Sequence, residues 1–153
     1  MNQIAELLPA GNIVLDLEAA TKSQLFAMVG DLFAASGDFV PSTVAASLAA
    51  REKLGSTGLG QGIAIPHGRL KGLSEARGAF VRLKAPIPFD APDGKPVSQV
   101  FVLLVPGHAT DHHLLLLSEL AQMFSERNFR EDLAAVKTVA EMASLFAKWE
   151  RRE

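Results

Sequence analysis

Arg51, Ser56, Thr57 and His67 lie within one stretch, residues 51–69, which reads REKLGSTGLGQGIAIPHGR in one-letter code. A guanidinium is a planar fork of N–H donors that matches carboxylate or phosphate oxygens. Gly55, Gly58, Gly60 and Gly62 recur every two or three residues between the arginine and the histidine. Glycine lets successive backbone N–H groups turn into one concavity that binds an anion. Imidazole is neutral for much of the time near pH 7, so it attacks phosphorus without a separate base. The combination reads as a phosphoryl-accepting His67 at the mouth of a small anion site, with Ser56, Thr57 and Gly68 in the surrounding loop. Each part also has a plainer use. The glycines suit a helix-to-strand connector, Arg51 a cation at the negative end of a helix, and His67 a hydrogen-bonded residue at a strand end. The spacing fits neither GxxxxGK[ST] nor GxGxxG, so nucleotide binding is not expected.

A second group of candidates follows Thr110, which can cap a helix through about Ser125. Asp111, His112 and His113 occupy its first turn, where free N–H groups favour an anion and keep an imidazole neutral. His113, third in the helix, is expected to face the site and His112 to point elsewhere; a surface pair is the alternative. His108 and His112 are four apart with Asp111 near. His108, however, follows Pro106-Gly107 and is not expected to be helical, and no HExxH is present, so no metal site is expected.

These residues must be held by regular elements. Gln3 to Leu8 reads as a short helix and Ile13-Val14-Leu15 as a short strand. Thr21 and Gln24 have capping-box spacing before a helix with Leu25, Phe26, Val29, Leu32 and Phe33 on one face, stopped at Gly37. The next helix runs from about Pro41 to Leu54, with Val44, Leu48 and Leu54 inward and Arg51 in its last turn. Strands are expected over Gly62 to Pro66, Gly78 to Leu83 and Val97 to Val105, the last apolar enough to be covered on both faces. Prolines and Asp93-Gly94 mark residues 86–96 as irregular. In the 110–125 helix, Leu114, Leu117, Leu120, Ala121 and Phe124 are expected on one side. A helix over about Asn128 to Val136 and another opened by a Thr138/Glu141 capping box complete the chain. Helices on either side of a run of strands predict an α/β layered domain with its sheet flanked on both faces.

The chain has 153 residues, is 48% hydrophobic and 21% charged, and carries a formal charge of −2. That is one ordinary globular domain, residues 1–153, without the broad basic field that nucleic acid requires. The absence of cysteine excludes disulfides, thiolate nucleophiles and zinc–cysteine sites. No signal-peptide order opens the chain, and no apolar run approaches a membrane span. A cytoplasmic protein is expected.

Arg51-Glu52-Lys53-Leu54-Gly55-Ser56-Thr57-Gly58 through Gly62-Ile63-Ala64-Ile65-Pro66-His67-Gly68 resembles the signature of the enzyme IIA domains of the fructose/mannitol family of the bacterial phosphotransferase system. The resemblance continues through Pro86-Ile87-Pro88-Phe89-Asp90, Asp93-Gly94-Lys95-Pro96-Val97, Leu103-Leu104-Val105-Pro106 and His113-Leu114. It is most similar to the nitrogen-regulatory branch. The resemblance implies a three-layer α/β/α sandwich on a small mixed sheet. It implies phosphorylation of His67 on Nε2, with Arg51 beside the phosphate and His113 hydrogen-bonded to it. It implies no cofactor. The donor would be an HPr-like phosphocarrier protein, itself charged from an enzyme I that uses phosphoenolpyruvate. The phosphorylated form would signal to regulatory protein targets or, alternatively, pass the group to a IIB permease component in sugar uptake. His108 and His112 have no counterpart in the pattern.

Overall fold

The computed structural model describes residues 3–37, 39–108 and 111–149. Helix α1 (Gln3–Leu7) leads through a 3-10 turn into strand β1 (Ile13–Leu17), and α2 (Lys22–Ser36) and α3 (Pro41–Glu52) follow. Five strands come next: β2 (Gly58–Gly60), β3 (Ile63–Ala64), β4 (His67–Leu70), β5 (Arg77–Ile87) and β6 (Val97–Pro106). Helices α4 (Asp111–Ser125), α5 (Arg127–Ala135) and α6 (Val139–Lys148) close the chain. The sheet runs β1-β5-β6-β3-β2, with β4 also on β6. β1 is parallel to β5, β3 and β4 are parallel to β6, and the β5–β6 and β2–β3 pairs are antiparallel.

The sheet is central because β6 is apolar on both sides. Phe101, Leu103 and Val105 pack with Ile4, Leu116, Leu120 and Phe146 on one face. Val100, Val102 and Leu104 pack with Leu25, Val29, Val44 and Leu48 on the other. The strand period of two sends alternate residues to opposite helical layers. The result is the expected α/β/α sandwich on a mixed sheet.

Two caps form as their spacing predicts. Thr21 Oγ1 accepts from Gln24 N at 3.2 Å, and Thr138 Oγ1 accepts from Glu141 N at 3.1 Å. The Gln24 side chain reaches one residue further back than the capping box requires and accepts from Ala20 N at 2.7 Å. Thr110, the expected cap of α4, lies outside the described residues.

Four expectations are corrected. α3 ends at Glu52, so Leu54 falls in the following turn and is 84% exposed instead of inward. The buried face of α4 is His113, Leu116, Leu120, Met123 and Phe124, while Leu114 is 65% exposed. Four consecutive leucines (114–117) fit a helical stripe in more than one phase, and packing selects it. β5 runs through Pro86 because the ladder shifts register between Arg82 and Ile87, and an irregularity accommodates a missing N–H. Finally, the strand before His67 breaks early. β3 and β4 keep one continuous register on β6, from Ile63 opposite Gln99 to Leu70 opposite Pro106, interrupted only at Ile65-Pro66. His67 therefore sits on the strand line itself.

Gly68 locks α3 to β4. A Cβ there would overlap Ser47 Oγ and lie 3.2 Å from the Ser47 carbonyl carbon. Ser47 Oγ also donates to Arg69 O at 2.9 Å. The Gly68→Ala variant is expected to lose about 1–3 kcal/mol of stability, the usual cost of overpacking a close contact. A shift of the urea midpoint at unchanged slope measures it.

Candidate functional site

His67 follows the break in the β3–β4 line, and the break has a clear hydrogen-bonding cause. Ile65 N turns away from β6 to donate to Thr57 O at 3.0 Å, while Leu103 N continues the ladder to Pro66 O at 3.0 Å. The freed Ile65 carbonyl lies 3.2 Å from His67 Nδ1. A carbonyl oxygen only accepts, so Nδ1 carries the proton and Nε2 keeps the in-plane lone pair. The ring is half-buried. Gly68 faces α3, so strand alternation turns His67 and Arg69 to the opposite side, that of α4.

Burial pushes the His67 imidazole below its ordinary value of 6.5. The hydrogen bond to Ile65 and the Glu52 carboxylate oppose this, and the Arg51 and Arg69 guanidiniums add to it. The outcome is a neutral ring at neutral pH. His113, in the first turn of α4, is buried while His112 beside it is exposed. The two rings lie 5.9 Å apart. Burial again lowers His113 most, followed by the neighbouring charges of His112, His108 and Arg69. The charges of Arg51 and Arg69 thus both reach His67, and Arg69 links it electrostatically to His113.

Both histidines protonate less readily in the folded chain than in the unfolded one. The unfolded chain then binds more protons once the pH drops below about 6.5, and stability falls with pH there. Their contribution is complete above that pH and is lost as the pH drops through the lowered folded values. Denaturant midpoints between pH 7.5 and 5 are expected to decline, and the decline flattens in a His67→Ala/His113→Ala variant.

Arg51, in the last turn of α3, donates from Nη1 to Gly55 O at 2.8 Å. This single bond holds the fork against the loop and leaves its other N–H donors for an anion. Ser56 Oγ donates to Phe89 O at 2.5 Å and accepts from Gly58 N at 3.0 Å. Thr57 Oγ1 donates to Glu52 Oε1 at 2.6 Å, and Thr57 N donates to the same carboxylate. The two hydroxyls brace the loop that carries them.

The glycine stretch is a tight β2–β3 hairpin with three consecutive positive φ angles, 88° at Gly60, 59° at Gln61 and 79° at Gly62. Such a run suits glycine at its ends. Gln61 N donates to Asp93 Oδ2 at 2.9 Å, and Asp93 Oδ1 accepts from Lys95 N at 3.0 Å. The 86–96 loop, far away in sequence, therefore braces the hairpin at Phe89 and Asp93.

Sequence reasoning missed three residues. Glu52 was quoted within its motif but given no task, and its carboxylate is the hub for Thr57 and for Lys22 Nζ at 2.8 Å. Lys22 comes from the first turn of α2 and also lies 4.7 Å from the centre of the Phe89 ring. Arg69 had no motif, although its position two residues after His67 on a strand was the available signal. Near the site, Leu70 is 7% exposed and Leu59 40% exposed. Among the described residues no three His, Asp or Glu side chains converge to hold a metal ion.

Fold and site together define an α/β/α sandwich that presents a neutral, oriented imidazole beside an arginine fork. The chain belongs to the family described as phosphoenolpyruvate-dependent sugar phosphotransferase system, EIIA 2, which matches residues 6–149. It is 40% identical over 139 residues to the nitrogen regulatory protein of Pseudomonas aeruginosa, covering 90% of each chain. The crystal structure of nitrogen regulatory protein IIA-Ntr from Neisseria meningitidis superposes with a TM-score of 0.89 at 50% identity, covering 94% of this chain and 99% of that one. The IIA mannitol enzyme of Escherichia coli, solved in complex with phosphorylated IIB mannitol, gives 0.74 at 25% identity, covering 92% and 99%.

Proposed function

We propose that this chain, acting as one domain, accepts a phosphoryl group on His67 Nε2 from an HPr-like phosphocarrier protein and serves as a nitrogen-type regulatory IIA. The Nε2 lone pair attacks phosphorus. The bond from phosphorus to the donor's leaving atom breaks, and its electron pair stays with the donor. The His67 Nδ1–H remains on Ile65 O, which accepts from the ring as positive charge develops. Arg51 and His113 stabilise the charge spread over the phosphoryl oxygens; positioning and electrostatics are what this chemistry needs. The observation that carries the reading is the Nδ1–Ile65 bond, which leaves Nε2 as the free nucleophile on a rigid strand.

Similarity to the nitrogen regulatory proteins favours a signalling role, in which the phosphorylation state is read by regulatory protein targets. A sugar-uptake role, handing the group to a IIB component, is the second reading; the mannitol IIA–IIB complex supports it. No helix among the described residues is long and apolar enough to cross a membrane, and both readings place the chain in the cytoplasm. Incubation with enzyme I, phosphocarrier and phosphoenolpyruvate, followed by mass spectrometry, is expected to show one acid-labile phosphate on His67. A chain that stays unmodified overturns the proposal. A fructose- or mannitol-uptake defect on deletion selects the second reading over the first.

A further inference from the structure

We propose that Glu52 is a positioning residue for phosphoryl transfer: its buried carboxylate fixes the loop that anchors Arg51. The inference rests on the His67 reading above. Glu52 ends α3, and its side chain is only 7% exposed. One oxygen accepts from Thr57 Oγ1 at 2.6 Å, the other from Lys22 Nζ at 2.8 Å, and both lie within 3.3 Å of Thr57 N. Three donors thus converge on one carboxylate, and the loop from Lys53 to Thr57 is closed at both ends. Gly55, in the middle of that closed loop, supplies the carbonyl that holds Arg51 Nη1. Moving Thr57 therefore moves the Gly55 carbonyl that anchors the guanidinium fork.

The pair with Lys22 adds a third element. Lys22 lies in the first turn of α2 and packs over Phe89, whose carbonyl accepts from Ser56. Loop 53–57 is consequently clamped between α2, the end of α3 and the 86–96 segment. A loop fastener alone needs no charge, because a neutral amide oxygen also accepts from Thr57, though with one acceptor atom where the carboxylate uses two. Burying a carboxylate is costly unless it is paired, and Lys22 provides the pair. The charge nevertheless reaches His67, where it opposes the lowering caused by burial and by Arg51. Glu52 thus has two separable tasks, placement and charge.

Three variants separate them. Glu52→Gln keeps an acceptor but removes the charge, and Glu52→Asp keeps the charge but draws it back by one methylene. Thr57→Val removes one closing bond while leaving Glu52 intact. The His67 titration midpoint, read by NMR without any phosphotransfer, is expected to move down in Glu52→Gln and to stay near wild type in Glu52→Asp and Thr57→Val. The rate of His67 phosphorylation is expected to fall about 10- to 100-fold in both Glu52 variants, the cost of misplacing a group near the chemistry. Adding Lys22→Met to Glu52→Gln removes an ammonium left with only the exposed Asp90 carboxylate at 3.6 Å and is expected to restore folding stability, yet the titration midpoint stays low. An unchanged midpoint in folded Glu52→Gln together with a rate within two-fold of wild type overturns the proposal. If wild type itself is never phosphorylated, the failure belongs to the His67 reading instead.

Discussion

The His67→Ala variant is expected to take up no phosphate at all from a charged phosphocarrier, while folding as wild type does. The ring is half-buried at a strand edge, so its removal leaves no large void in either core layer. Its hydrogen bond to the Ile65 carbonyl is a single one, worth about 1 kcal/mol net. Function, in contrast, has no substitute. His113 is buried, and burial and then the neighbouring His112, His108 and Arg69 hold its imidazole below the ordinary value, while His112 and His108 are exposed side chains outside the strand line. Mass spectrometry of the acid-labile product, with the phosphorylated nitrogen assigned by NMR, checks both parts. Phosphate on Nδ1 in the wild-type protein would contradict the bond to Ile65, because that nitrogen is occupied by the donated proton.

The second large effect belongs to Arg51. Arg51→Ala is expected to slow phosphorylation of His67 by about 10²–10³-fold, the usual consequence of deleting one preorganised donor from a site where charge develops. Two losses combine: the donor fork itself, and its bond to Gly55 O, which ties α3 to the loop. Arg51→Lys is expected to recover only part of the rate. An ammonium restores the charge but cannot bind Gly55 O and two phosphoryl oxygens in one plane. Single-turnover rates with excess phosphorylated donor measure this without interference from donor regeneration. A rate within a few-fold of wild type in Arg51→Ala would show that the fork is not directed at the phosphoryl group.

The site's chemistry and its supports were unequally visible in the chain. His67, Arg51 and the glycine hairpin lie within seventeen residues of one another, where local spacing made them candidates and the family resemblance gave them roles. Thr21 and Thr138 were legible as caps because the bonds they make span three residues. Glu52 was not, since its meaning comes from Lys22, thirty residues earlier. Asp93 was visible as a turn residue, yet its bond to Gln61, 32 residues back, gives it its role. Leu54 and Leu114 were misplaced for a related reason: a helical stripe permits several phases, and the layer that packs against it chooses one.

From the amino-acid sequence alone came the layered α/β class and the candidate pair His67 and Arg51, because periodicity, caps and residue chemistry act over a few residues. Tertiary structure alone decided the tautomer of His67 and the electrostatic influence of Arg69 and Glu52 on its ring. Those outcomes depend on one register between β4 and β6 and on how closely α3 approaches β4 at Gly68. Register and interlayer distance are set by the packing of the whole core, which no single stretch of chain encodes.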